Sequence, residues 1–335
     1  KVIEHEDAFQ RWYPASLTKL MTAYTVFRAI KAGEITLESP VVMSKQAAAE
    51  PPSKMYFKPG QAMTLDSALK IILVKSANDV SVAIAESVAG SEKAFVARMN
   101  AEAARIGMTS SRFINPHGLP GKGQYTTARD LAVLAVTLKR EFPQYAPYFA
   151  LEGFTTGKKQ YPNYNMLIGR FDGADGMKTG FICASGFNQV SSATRNGRSV
   201  ISVVLGADSL AGRTVLSADL LHKGLTEGAG FGDPSLYKLK PYGATRDQVA
   251  DQTEIICSKK KGKKVRSEST DEVGDNKTSP YVHEINRPLD FALVRVIPAG
   301  KDSAEAGEEV ADAAPFVLYG RKVTDIPVPE PRPVN

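Results

Sequence analysis

The sequence predicts an α/β fold of the α+β kind: an antiparallel sheet flanked by helices, with an inserted helical subdomain and a C-terminal tail carrying a few strands. Three observations carry this. Up to about residue 147 the apolar residues recur mainly at helical spacing. Beyond it the period moves toward two and β-favouring residues take over, as in Phe154-Thr155-Thr156. Two such runs are joined by Asn196-Gly197, a pair that supplies the two positive φ angles of a hairpin turn, and a helix-period run closes the region. A chain of 335 residues, 43% of them hydrophobic, can bury one large core or two moderate ones.

In chain order, Lys1-Val2-Ile3 reads as the end of a strand. Pro14 suits the first turn of a helix, where its missing N–H costs nothing. Leu17, Leu20, Met21, Tyr24 and Phe27 then form one buried stripe that ends at Ala32-Gly33. Val41-Val42-Met43 is a short strand. Residues 47–60 are a Pro-bearing loop, with a strand at Met55-Tyr56-Phe57. A helix begins at Thr64-Leu65-Asp66 and buries Leu65, Leu69, Ile72 and Leu73. It stops at Lys75-Ser76-Ala77-Asn78-Asp79, and a new helix runs to Ala89-Gly90. Further helices span about 91–107 and 126–142, with a Gly/Pro loop at 113–125 between them. Strands are expected at Phe149-Ala150-Leu151, at Phe154-Thr155-Thr156, from Asp175 onward, at 187–194 and at 199–205. The closing helix is 210–224. Later, 258–275 is charged and solvated, 291–297 is a strand and 316–319 a weaker one, and 326–333 is a polyproline-type tail.

Composition excludes several classes. No apolar run reaches the roughly eighteen residues of a membrane-spanning helix. His5, His117, His222 and His283 are scattered, without metal-ligand spacing, and each reads as a surface or structural histidine. There is no Gly-rich phosphate loop and no basic-aromatic interleaving, and a net charge of +6 does not demand nucleic acid. Cys183 and Cys257 allow one bridge, with two free thiols somewhat favoured. The run Lys259-Lys260-Lys261-Gly262-Lys263-Lys264 reads first as a solvated linker, and second as a patch for anionic lipid heads or acidic polymer.

The chemistry starts at Ser16-Leu17-Thr18-Lys19. Residues three apart lie on one helix face, about one turn from each other. A serine hydroxyl is a poor nucleophile until a base takes its proton, and lysine serves as that base when burial and nearby cations keep it neutral. Ser76 and Asn78 sit on a tight connection between two helices, where both side chains can face one cleft; alternatively Asn78 or Asp79 only caps the next helix. Lys178-Thr179-Gly180 begins a strand. Ser-x-x-Lys, Ser-x-Asn and Lys-Thr-Gly in this order are the signature set of penicillin-binding proteins and serine β-lactamases.

With its flanks, Pro14-Ala15 and Leu20-Met21-Thr22, Lys75 and Asp79, Asp175-Gly176-Met177 and Phe181, the set resembles the low-molecular-weight penicillin-binding proteins, the D-alanyl-D-alanine carboxypeptidases of peptidase family S11. The resemblance covers about residues 1–227. It implies a DD-peptidase/β-lactamase-like catalytic domain there, with 228–335 as an extension. It implies that Ser16 attacks the carbonyl between two D-alanines of a peptidoglycan stem peptide and forms an acyl-enzyme, which water hydrolyses. Lys19 takes the proton of Ser16. Ser76 passes a proton to the leaving amine, and Asn78 holds Lys19 and the substrate amide. Lys178 supplies positive potential, Thr179 and Arg213 bind the terminal carboxylate, and Gly180 lets substrate backbone approach. The backbone N–H groups of Ser16 and Phe181 form the oxyanion hole. A locally solvated Arg213 at a helix start is the competing reading. β-Lactams are implied as inhibitors, and no metal or cofactor is expected.

The resemblance also implies a periplasmic or otherwise extracytoplasmic enzyme, its presequence absent from a chain that begins at Lys1, with membrane association through the basic tail. A Cys183–Cys257 pair would tie the tail to the catalytic domain. Relatives often carry a longer N-terminal strand, a C-terminal β-sandwich and an amphipathic end, none of them evident here. Two rivals remain. A serine β-lactamase of class A uses a glutamate in Glu-x-x-Leu-Asn, absent between Asn78 and Lys178, and has Asp where Ala77 stands. A catalytically silent wall-binding protein would not need its motifs intact.

Overall fold

The computed structural model describes residues 1–257 and 278–297, together with short strands at 317–318 and 321–322. Residues 1–299 form one compact unit and 300–335 a second.

In the first unit, β1 (Arg11–Trp12) leads into a 3-10 turn (Ala15–Leu17) and helix α1 (Thr18–Lys31). There follow β2 (Pro40–Val42), α2 (Lys45–Ala49) and β3 (Ala62–Thr64), then the helices α3 (Leu65–Val74), α4 (Asn78–Ala89), α5 (Glu92–Arg105) and α6 (Ala128–Glu141). A 3-10 stretch (Pro143–Phe149) and a hairpin of β4 (Gly153–Thr155) and β5 (Gln160–Pro162) come next. The main antiparallel sheet is β6 (Ala174–Ile182), β7 (Gly186–Arg195) and β8 (Arg198–Ala207), in that order. Helix α7 (Leu210–Thr226) packs on β7 and β8. β9 (Val249–Ala250), α8 (Thr253–Ile256), β10 (Phe291–Leu293) and β11 (Val296–Ile297) complete the unit. In the second unit β12 (Val317–Leu318), within the strand expected at 316–319, pairs antiparallel with β13 (Arg321–Lys322).

Helix starts follow local chemistry. Thr64, Ser91, Thr127 and Ser209 each turn a side-chain oxygen onto the N–H three residues on, a cap contributing about 1 kcal/mol apiece. Gly90 ends α4 in the left-handed conformation, φ +75°. The sequence stripe on α1 understates its burial. Leu20, Met21, Tyr24 and Phe27 are buried, but so are Thr18, Lys19 and Thr22 on the other faces. A helix buried all round lies in the middle of its fold. Phe27 stacks on Tyr145 and touches Phe142 and Phe149.

Several expectations are corrected. Lys1-Val2-Ile3 is not a strand; Val2 N–H donates to Pro234 O at 2.9 Å, and the first strand is β1, parallel to β9. The main sheet draws all three strands from 174–207, and the N-terminal residues add none to it. Met55-Tyr56-Phe57 is irregular because the buried Asp79 carboxylate accepts the N–H groups of Met55 and Tyr56, and Tyr56 takes φ +62°. Phe149-Ala150-Leu151 leaves a 3-10 turn and forms no strand. The strand expected over 291–297 divides in two. β10 adds in parallel to β4, and β11 adds antiparallel to β3. Cys183 and Cys257 are joined, not free, with S–S 2.04 Å. The charged run at 258–275 and the Pro-rich tail at 326–333 lie outside the described residues.

Residues 278–297 run across the unit. Tyr281 stacks on His222 at 3.7 Å between centroids, His283 N–H donates to Arg170 O, and Arg287 forms a two-nitrogen contact with Glu152. Val294 N–H then donates to Thr155 O on the way to β11.

Candidate active site

The three motifs meet. Ser16 lies on the 3-10 turn just before α1 rather than inside the α-helix. Lys19 follows in the first turn of α1, about one turn on from Ser16, and its Nζ comes to 3.2 Å from Ser16 Oγ. Lys19 is fully buried. Its Nζ donates to Asn78 Oδ1 at 2.8 Å and to His117 O at 2.7 Å. Asn78 is oriented for this by its own Nδ2, which donates to Pro51 O at 3.0 Å. Ala15 and Ser76, flanking the site on two turns, are non-glycine residues at φ +47° and +65°. Strained backbone of this kind persists where surrounding structure fixes it.

Asp79, one residue on from Asn78, is fully buried and takes the N–H groups of Met55, Tyr56 and Val80. Burial holds its carboxyl above the usual range against the pull of those donors. The loop at 51–57 is thereby fixed to the start of α4, which in turn fixes Pro51 O against Asn78.

The other wall of the site is β6. Lys178 and Thr179 are buried; Lys178 Nζ donates to Thr179 O at 2.9 Å. Thr179 Oγ1 and, opposite, Ser76 Oγ are buried without a hydrogen-bond partner among the described residues. Gly180 is needed for a closer neighbour than substrate. A Cβ there would lie 2.9 Å from Ser16 N and 3.1 Å from Leu17 N, both backbone atoms. Phe181 is half-buried against Phe187, ring centroids 4.3 Å apart. Arg213, in the first turn of α7, is fully buried and not a solvated helix-start residue. Its guanidinium faces Asn188 O at 3.5 Å and Tyr164 O at 3.4 Å, and lies 5.7 Å from the centre of the Phe187 ring.

All nine residues singled out from the sequence therefore fall on the walls of this site or on the elements that build them. Sequence reasoning missed others. The His117 side chain is buried; its Nδ1 accepts from Leu119 N–H at 3.1 Å, which places the proton on Nε2, 3.4 Å from Glu50 Oε2. Burial, and then the charge of Lys19, push His117 down to about 3, so at neutral pH this is a neutral imidazole beside a carboxylate and not an ion pair. Burial also raises the Glu50 carboxyl. Gly118 has φ +95°, and a Cβ there would meet Ala15 O at 1.8 Å. Lys75 Nζ donates to Tyr164 Oη at 2.5 Å. The only sequence signal for the first pair was the Gly/Pro loop around Asn115-Pro116-His117-Gly118, and for Lys75 its adjacency to Ser76.

The disulfide ties the turn after β6 to α8. Beside it Gln252 N–H donates to Ala184 O at 2.9 Å, and Trp12 Nε1 donates to Ser185 O at 2.8 Å.

A serine against a buried lysine, with a Ser-x-Asn turn on one side and a Lys-Thr-Gly strand on the other, defines the class of penicillin-recognising serine enzymes. The sequence profile of the D-alanyl-D-alanine carboxypeptidases, peptidase family S11, matches residues 1–209, and the chain belongs to this family. It is 39% identical over 214 residues to the D-alanyl-D-alanine carboxypeptidase DacC of Escherichia coli (strain K12), a match covering 62% of this chain and 54% of that protein. It is 35% identical over 220 residues to DacF of Bacillus subtilis (strain 168), covering 62% and 55%. The chain thus spans about half the length of the curated relatives it matches. Among solved structures, DacD from Francisella tularensis has a TM-score of 0.65 at 34% identity, covering 68% of this chain and 67% of that one. Penicillin binding protein 5 from Haemophilus influenzae has a TM-score of 0.64 at 35% identity, covering 67% of each.

Proposed function

We propose that this protein is a serine-type D-alanyl-D-alanine carboxypeptidase that removes the terminal D-alanine from peptidoglycan pentapeptides and is acylated by penicillin. The observation that carries the reading is the setting of Lys19 Nζ. Asn78 Oδ1 and His117 O hold the nitrogen 3.2 Å from Ser16 Oγ. At that distance Lys19, once neutral, can receive the Ser16 proton.

Ser16 Oγ attacks the carbonyl carbon, and Lys19 takes its proton. The N–H groups of Ser16 and Phe181 receive the developing oxyanion. Ser76 relays a proton to the leaving amine, Asn78 aligns the substrate amide, and Thr179 Oγ1 with Arg213 binds the terminal carboxylate under the positive potential of Lys178. The absence of a hydrogen-bond partner for the buried hydroxyls of Ser76 and Thr179 supports these roles, since such groups are costly unless something completes them. Water then hydrolyses the acyl-enzyme and frees a peptide one D-alanine shorter.

The substrate and the disulfide both favour work outside the cytoplasmic membrane, in an oxidising compartment. Among the described residues no helix is long and apolar enough to cross a membrane. We assign residues 1–227 to the catalytic domain and 228–335 to an extension, and the lysine run at 259–264 to peripheral contact with anionic lipid or wall polymer. Salt-sensitive sedimentation with anionic vesicles checks that contact.

The test of the main reading is intact mass during incubation with benzylpenicillin, with Ser16→Ala alongside. A long-lived adduct, lost in Ser16→Ala, is expected. Rapid turnover of drug without lasting adduct would instead make the enzyme a β-lactamase, and no adduct on folded protein would leave a wall-binding protein.

A further inference from the structure

Tyr164 joins the two walls of the site. Its backbone oxygen faces the Arg213 guanidinium on the sheet side at 3.4 Å. Its hydroxyl accepts from Lys75 Nζ on the helical side at 2.5 Å, and Lys75 is the residue immediately before Ser76. One residue therefore reaches from the guanidinium to the Ser-Ala-Asn turn.

The segment carrying Tyr164 is firmly held. Asn165 is buried; its Nδ2 donates to Gly176 O at 3.1 Å, and its Oδ1 accepts from Leu167 N–H at 3.1 Å and from Gln189 Nε2 at 3.0 Å. These bonds fasten the loop to β6 and β7. Further along, Leu167 and Phe171 are core residues with Tyr281 and Val282 packed against them, and Arg170 O takes the His283 N–H. Lys75 ends α3, its N–H bonded to Ile71 O at 2.9 Å. Both ends of the Lys75–Tyr164 contact are thus placed by structure that does not depend on substrate.

We infer that the Lys75–Tyr164 bridge closes the leaving-group end of the cleft and restricts the departing residue to one with a small side chain and a free carboxylate. This rests on the reading that Arg213 and Thr179 bind the terminal carboxylate, because that reading places the leaving residue at the Arg213 end. Such a restriction requires room beside the bridge for a D-alanine methyl group and not for a longer side chain. The long side chain of a residue joined through a peptide cross-link would have to pass between the tyrosine hydroxyl and the lysine. The enzyme is accordingly a trimmer of free stem-peptide ends and a poor cutter of cross-links. A ring and an ammonium locked together act as a steric stop, and steric stops discriminate strongly against larger groups where pocket contacts discriminate weakly against smaller ones.

The test uses the full chain and two substrates, diacetyl-L-lysyl-D-alanyl-D-alanine and its analogue ending in D-leucine, with release of the terminal amino acid measured for wild type, Tyr164→Ala and Lys75→Met. Wild type should release D-alanine with kcat/KM at least about thirtyfold above that for D-leucine, and either substitution should shrink this ratio about tenfold or more. Stoichiometric acylation by benzylpenicillin, read by mass, identifies the variants that are folded, and Lys75→Met decides the matter if Tyr164→Ala does not fold. An unchanged ratio in a folded variant overturns the inference while leaving the carboxypeptidase reading intact. A wild type that neither releases D-alanine nor forms an adduct overturns both.

Discussion

The two walls of the cleft are built by different physics. On the helical wall, hydrogen bonds from side chains do the placing: Lys19 is caged by Ser16, Asn78 and the carbonyl of His117, and Asn78 is oriented in turn by Pro51 O. On the sheet wall, backbone register does the placing. Lys178, Thr179 and Gly180 pair with Val190, Gln189 and Asn188 along β7, and Gly180 lies flat against the turn that carries Ser16. The first wall depends on the hydrogen bonds that hold Lys19 and Asn78. The second depends in addition on the close backbone approach at Gly180.

Removing the centre of the cage should have the largest effect. Lys19→Ala is expected to slow acylation by a fluorescent penicillin about a thousandfold or more, since the proposed mechanism makes Lys19 the base for Ser16. A loss below about tenfold would mean another group deprotonates Ser16 and would break the contrast between the walls.

His117 gives the next effect, on stability against pH. Its folded form stays neutral down to about pH 3 because it is buried and lies beside Lys19, whereas an unfolded histidine titrates near 6.5. Between those values the unfolded chain binds a proton that the folded chain does not. Stability contributed by the neutral form is therefore present above pH 6.5 and drains away as pH falls. Urea unfolding of wild type and His117→Asn should show that the substitution removes about 3 kcal/mol of the loss between pH 7 and 4. The backbone carbonyl on Lys19 is kept by this change, so acylation at pH 7 falls far less than in Lys19→Ala. Parallel pH curves for the two proteins would refute the burial argument.

On the sheet wall, Gly180→Ala forces a methyl group against the backbone nitrogens of Ser16 and Leu17. Overpacking of this kind costs about 1–3 kcal/mol, and the acylation rate should fall roughly in step. A change confined to deacylation would show that the strand can shift without moving Ser16. The smallest effect is expected from Arg213→Gln, which keeps a hydrogen-bonding side chain under the strand but removes the charge. KM for a D-alanyl-D-alanine peptide should rise about tenfold with kcat much less affected, because a carboxylate contact held throughout the reaction is uniform binding.

The legible part of this molecule was the part in which a local pattern dictates a local geometry. Ser16 and Lys19 had to share a face because they are three apart. Thr64, Ser91 and Thr127, at expected helix starts, cap them because their oxygens reach the third N–H onward. Asn196-Gly197 had to turn, and does so with φ of +50° and +75°. What stayed hidden depends on partners distant in the chain. The carbonyl of His117 has no residue signature, so its contact with Lys19 leaves no trace in the sequence. Tyr164 matters through its neighbours at Lys75 and Arg213. The 291–297 stretch reads as one strand by composition, yet β10 and β11 pair with different strands because β4 and β3 each have an edge to offer. Two cysteines 74 residues apart give no sign of pairing until the chain between them has folded.

The segment from Ser279 to Ile297 also sets a timetable for the protein's synthesis. All three sequence motifs and Arg213 are made before it. Yet β3 and β4 become interior strands of their small sheets only when β11 and β10 arrive, and Arg295 reaches back 228 residues to Ser67. Contacts that distant form late. A chain emerging from its N-terminus therefore carries two naked strand edges, which invite pairing with other chains, for as long as it takes the last part of this segment to appear and fold home.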